Sequence, residues 1–95
     1  MVDFQNLLPI GSVIRLTGAT KSIMIFGIRQ WNPEKNREYD YIGVLYPEGN
    51  LGGETQIMFN HEDIEHVAFR GYETPEREAF IQKLAAFYAA AEENQ

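Results

Sequence analysis

Apolar and polar positions along the first 72 residues fall into five short runs with strand character. Residues 12–17 set Val13, Ile14 and Leu16 around a single Arg15, and residues 22–28 are rich in β-branched and aromatic side chains, which fit the pleated, half-buried surface of a sheet. The four residues between them, 18–21, begin with glycine and read as a tight turn, so the two runs predict a hairpin. Residues 39–46 resume as a third strand, with Tyr39, Tyr41, Gly43 and Leu45 on one face and Ile42, Val44 and Tyr46 on the other. Two largely apolar faces suit a strand inside a sheet rather than at its edge. Residues 55–59 and 64–72 supply the fourth and fifth strands, with Val67 and Phe69 expected inward.

The connecting segments carry their own signals. Pro9 biases Leu8 away from helix, so residues 7–11 read as an extended lead-in. Residues 29–38 are polar and contain Asn32-Pro33, which predicts a mobile loop. Pro47 and Gly49 end the third strand, and the adjacent Gly52 and Gly53 mark a second loop. Asn60 is placed to cap a single helical turn at His61-Glu62-Asp63. Thr74-Pro75-Glu76 is a helix start, since threonine caps, proline suits the first helical position and glutamate favours the positive end of the dipole. From there to about Glu92, Phe80, Ile81, Leu84, Phe87 and Tyr88 recur at helical spacing and predict one apolar stripe.

Strands followed by one helix define an α+β chain. The expectation is a small antiparallel β-sheet, or a partly open barrel, of about five strands followed by one C-terminal helix. Residues 7–72 form the β-rich part and 74–92 the helix of a single domain over 1–95, because 95 residues leave no room for a second core.

Composition narrows the chemistry more than the fold. A hydrophobic share of 44% argues against wholesale disorder. The chain has no cysteine, which removes disulfides, thiolate catalysis and cysteine zinc sites. The net charge of −6 is unevenly spread: residues 1–47 carry five basic and four acidic groups, residues 48–95 three basic and ten acidic. An acidic half repels phosphate backbones and disfavours nucleic acid as a partner. Residues 1–10 lack a basic start followed by an apolar run, and the longest apolar stretch, 23–28, is too short to span a bilayer. The expectation is a cytoplasmic product without membrane insertion.

No motif establishes an active site. His61 and His66 are five apart, about 140° around a helix, so they do not share an ion and no metal is expected. Glu62, Asp63 and Glu65 read as solvated acids of a surface turn rather than a catalytic pair. Residues 49–53 resemble a phosphate cradle only in glycine content, and no Lys-Ser/Thr pair follows them. No cofactor is expected. Two features instead suit a protein partner. Trp31, the single tryptophan, lies in the polar 29–38 segment; it is either a binding anchor or a lid folded over the mouth of the sheet. Tyr88 and Glu92 lie four apart on one helical face and match a Tyr-x-x-x-Asp/Glu pattern that forms part of an export signal in specialised Gram-positive secretion.

Leu8-Pro9-Ile10-Gly11-Ser12-Val13, Met24-Ile25-Phe26-Gly27, Asp40-Tyr41-Ile42-Gly43-Val44, Tyr46-Pro47-Glu48-Gly49 and Phe59-Asn60-His61-Glu62-Asp63-Ile64 occur in that order. The series resembles the small Gram-positive domain-of-unknown-function family 4176 over roughly residues 7–85. Pro47, Glu48, Gly49, Asn60, His61, Glu62 and Asp63 match its signature turns. The family is associated with LXG toxins and type VII secretion loci, and it brings no established catalytic residue to carry over. What the resemblance implies is a non-enzymatic adaptor that binds a helical LXG toxin region or an accessory protein and helps its targeting or export, with co-export as a further outcome. Trp31, Phe80, Leu84, Phe87, Tyr88 and Glu92 are the candidate partner-binding residues. Three alternatives stand beside this: an immunity protein whose acidic half masks a toxin domain, a small enzyme working at His61, Glu62 and Asp63, and, for assembly, a homodimer paired through the C-terminal helix.

Overall fold

The computed structural model describes residues 1–93. Five antiparallel strands form one open sheet in the order β4-β3-β2-β1-β5. They are β1 (Val13–Leu16), β2 (Ser22–Asn32), β3 (Arg37–Leu45), β4 (Ile57–Phe59) and β5 (Ile64–Phe69), followed by one helix, α1 (Pro75–Glu93). β4 and β5 are the two edges, so of the two expected architectures the chain adopts the open sheet. β3 lies between β2 and β4, an interior strand as its two apolar faces require.

The core lies on one face of the sheet. Ile14, Ile23, Ile25, Tyr41 and Phe59 meet Leu7 and Leu8, which fold over them from the lead-in. The lead-in is therefore core rather than a tether, and a 3-10 turn at Phe4–Asn6 precedes it. Gly43 is what lets β2 and β3 close up: a Cβ there would sit 2.5 Å from Ile23 Cγ2 and 2.9 Å from the Met24 carbonyl oxygen.

The segment 29–38 is not a loop. β2 continues to Asn32 and β3 starts at Arg37, so Gln30 pairs with Tyr39 and Trp31 with Glu38. The turn is built by Asn32, whose side-chain oxygen accepts the N–H groups of Glu34 and Lys35 at 3.0 and 3.1 Å. Asn36 closes it at φ 53°, a conformation that asparagine tolerates. Local turn chemistry thus replaces the expected mobile loop with a long hairpin.

The fifth strand corrects a second expectation. Val67 and Phe69 are exposed, Phe69 by 61%. Register shifts in the β1–β5 pairing re-aim these side chains, and β5 is covered on its outer edge by no other strand. The helix start behaves as read: the Thr74 hydroxyl accepts the Arg77 N–H at 3.0 Å, and its carbonyl accepts that of Glu78 at 3.1 Å.

Candidate functional site

The signature turns are structural at their base. Gly49, at φ 78°, donates its N–H to the Leu45 carbonyl at 2.7 Å and folds the chain back after Pro47 and Glu48. Glu48 pairs with Lys21 at 2.7 Å, and that contact lowers its carboxyl below the ordinary value. Asn60 and Asp63 close a reciprocal capping box around the 3-10 turn His61–Asp63, with the Asn60 N–H on Asp63 Oδ2 at 2.9 Å.

Above this base the second turn is tied to β3 by a polar knot. Asn60 Oδ1 also accepts the Asp40 N–H at 3.1 Å, and Asp40 Oδ2 accepts the His61 N–H at 2.9 Å. The neighbouring Tyr41 is fully buried, and its hydroxyl accepts the Leu8 N–H at 2.9 Å and lies 2.7 Å from His61 Nδ1. Burial pushes the Tyr41 hydroxyl up to about 12, so it keeps its proton at neutral pH. That proton needs an acceptor, and the Leu8 N–H is a donor, so it goes to His61 Nδ1. In the neutral imidazole the ring hydrogen is then on Nε2. His61 is thereby held to the core through Nδ1. Glu62 and Asp63 are exposed beside it. Among the described residues no group of three or more His, Asp or Glu side chains is arranged to hold a metal ion.

Asp40 is the member of this knot that the sequence reading passed over. It is 1% exposed, and its Oδ1 is the buried side-chain polar atom without a hydrogen-bond partner among the described residues. Asp40 is also one of the residues around a cavity of about 480 Å3, with Met1, Val2, Arg37, Asn60, His61 and Glu62. The available signal was a carboxylate inside an apolar run, since acids are almost never fully buried without a partner.

The candidate partner-binding residues are divided by the helix. Ile81 is buried, Leu84 and Tyr88 are half-buried, and Phe80 and Phe87 face solvent, Phe87 by 69%. The expected single stripe is wider than one contact face, so it splits into a docked side and a free side. Tyr72, just before α1, is 85% exposed. It joins Phe80, Ile10, Ile28 and Leu8 in lining a groove of about 600 Å3 between helix and sheet. Trp31 is 55% exposed on β2 and is not a lid over the core.

Tyr88 belongs to an internal clamp that the sequence did not announce. Its hydroxyl donates to Glu38 Oε2 at 3.1 Å, while Arg29 holds Glu38 Oε1 through Nε at 2.7 Å and Nη2 at 2.6 Å. The Arg29 guanidinium lies over the rings of Phe4 and Tyr88, 4.5 and 4.7 Å from their centroids. Burial, and then Glu38, raise the Tyr88 hydroxyl above its ordinary value. Glu92 is exposed one turn on, so of the Tyr-x-x-x-Glu pair only the glutamate is presented freely.

The molecule is thus a small antiparallel-sheet domain with one docked helix and a turn region organised by residues 40–41 and 60–63. The family model for Domain of unknown function (DUF4176) matches residues 7–80, and the chain belongs to that family. Neither a curated protein nor a solved structure matches it. Among the described residues no helix is long and apolar enough to cross a membrane.

Proposed function

We propose that the protein is a non-enzymatic adaptor that binds a helical segment of a partner protein, and that the partner is an LXG toxin region or an accessory protein of a type VII secretion system. The observation that carries this reading is the free side of α1, where Phe80 and Phe87 stand exposed on a helix whose other side is docked through Ile81. Phe80, with Tyr72, lines the groove beside the helix. Aromatic side chains flanking a groove suit the insertion of an amphipathic helix. The type of partner rests on the family resemblance.

The test is co-expression with an LXG toxin divided into its N-terminal region and its toxic domain, followed by size-exclusion chromatography with light scattering. A stable complex with the LXG region is expected, and Phe80→Asp with Phe87→Asp should abolish it while leaving the sheet folded. These two positions are chosen because Tyr88 is committed to Glu38; its replacement would disturb the helix itself. Binding to the toxic domain alone would replace the adaptor reading with an immunity role.

A further inference from the structure

The free side of α1 carries charges in a fixed order as well as aromatic rings. Glu76, Phe80, Lys83 and Phe87 are all exposed and follow one another at spacings of four, three and four, so they share one side of the helix. Tyr72, exposed just ahead of α1, lines the same groove as Phe80. Glu76 and Lys83 are seven positions apart, about 10 Å along the axis, too far to pair with each other. Among the described residues neither takes part in an ion pair. Arg77, the other cation of α1, is held by the Leu7 carbonyl. The side is therefore a row of acid, ring, base and ring whose charges complement the same row read backwards.

We propose that this side of α1 pairs antiparallel with the same side of a second copy of the chain, about a two-fold axis between Ala79 and Phe80. In that register Glu76 of each copy meets Lys83 of the other, Phe87 of each reaches toward Tyr72 of the other, and the two Phe80 rings meet at the crossing beside Ala79. The charges select the register. Parallel helices would set Glu76 against Glu76 and Lys83 against Lys83, and antiparallel helices matched over their full length would set Glu76 against Glu92. The offset antiparallel register sets opposite charges together and opposes the two helix dipoles. Exposed ion pairs are weak, so they fix the alignment while the rings supply the affinity. Six partly exposed rings can bury roughly 600–1,000 Å2. That is below the ~1,200 Å2 of a standard interface, so the dimer is reversible and forms at high concentration. The pairing does not depend on the proposed function, but it covers the same Phe80 and Phe87, so a partner helix has to displace the second copy.

The experiment uses the full chain alone, in sedimentation equilibrium at low salt and at concentrations up to millimolar. The parent's mass should rise with concentration toward that of two chains. Charge reversal is the discriminating change, because the aromatic positions also serve the proposed partner. Lys83→Glu and Glu76→Lys should each weaken the dimer at least tenfold, since each sets two like-charged pairs in the interface. The double variant, Glu76→Lys with Lys83→Glu, restores both pairs and should return the dissociation constant to within about threefold of the parent. Both positions are exposed, and far-UV circular dichroism of each variant should show the helix kept. A chain that stays monomeric at every concentration overturns the proposal. So does a dimer indifferent to either single reversal, which would place the contact elsewhere, or a double variant as weak as the singles, which would remove the antiparallel register. Failure of the chain to bind an LXG region, with the charge-swap pattern intact, would sink the adaptor reading and leave the self-pairing standing.

Discussion

The sheet and the helix are held by different physics. The sheet encloses a continuous apolar cluster, with Leu7, Leu8, Ile14, Ile23, Ile25, Tyr41 and Phe59 all buried together. Helix α1 has one buried residue, Ile81, and fastens its far end through the clamp of Phe4, Arg29, Glu38 and Tyr88. Arg77 Nη2 adds a polar tie to the Leu7 carbonyl at 2.9 Å. Apolar burial is non-directional and grows with area, whereas a clamp of a few polar and aromatic contacts is geometric and partly hydrated. The sheet is therefore the cooperative unit, and the helix is an arm laid against it. That division suits the proposed binding role, because the arm can give its free side to a partner without exposing the core.

The comparison is broken most strongly from the sheet side. Ile25→Ala removes a fully buried side chain from the main cluster and should cost about 2–5 kcal/mol, a large part of a domain stability of about 5–15 kcal/mol. Urea unfolding followed by far-UV circular dichroism and by amide exchange should show strand and helix lost together. Ile81→Ala removes the same atoms, yet its effect is capped by what docking the helix is worth, about 2 kcal/mol or less. Hydrogen exchange should accelerate along 75–93 while amides of β2 and β3 stay protected. Equal acceleration in the sheet would mean that the helix belongs to the cooperative unit.

The same contrast explains what could be read from the chain beforehand. The strands and the helix start were legible because their signals are local: alternation around Arg15, the Gly18 turn, and the Thr74-Pro75 cap. The misread segment 29–38 was legible in part, since Asn32-Pro33 was rightly a turn, but the side-chain acceptor of Asn32 tightened it into four residues between paired strands. Val67 and Phe69 were misplaced because register shifts in the β1–β5 pairing are not written in hydrophobic alternation. The clamp and the cavity were hidden for another reason. Arg29 and Tyr88 lie 59 positions apart, and Asp40 and His61 lie 21 apart. Pairings at such separations are set by the fold and not by neighbours in sequence. Only the lone acid within the apolar run 39–46 offered a warning.

Alkaline pH gives a smaller effect that tests the sheet core at one atom. The Tyr41 hydroxyl is raised to about 12 by burial, against about 10 in an unfolded chain. Between those values the folded state keeps a proton that the unfolded state has lost, so the stabilisation is complete below pH 10 and declines as pH rises to 12. The expected slope approaches about 1.4 kcal/mol per pH unit, for a total of about 2–3 kcal/mol. Tyr88 is raised in the same direction, so the informative measurement is the difference between the parent and Tyr41→Phe. Urea midpoints at pH 9, 10 and 11 should fall more steeply for the parent. Parallel lines would show that the Tyr41 proton does not hold the Leu8–His61 bridge.

The smallest effect tests the clamp, and it has an unusual sign. Arg29 sits at φ 50°, in the left-handed region that costs a side-chain-bearing residue about 1–2 kcal/mol. That conformation aims the guanidinium between Phe4 and Tyr88 and onto Glu38. Arg29→Ala discards those contacts and keeps the backbone cost; Arg29→Gly discards the same contacts and relieves it. In an ordinary strand glycine is the worse residue by about 0.5–1 kcal/mol. Here Arg29→Gly should be the more stable of the two by about 1 kcal/mol, with near-UV circular dichroism of Tyr88 changed alike in both. If alanine proves equal or better, the left-handed backbone is not held against resistance, and the clamp is an incidental surface pair. If glycine wins, the chain accepts local strain at Arg29 to fasten the helix at its far end.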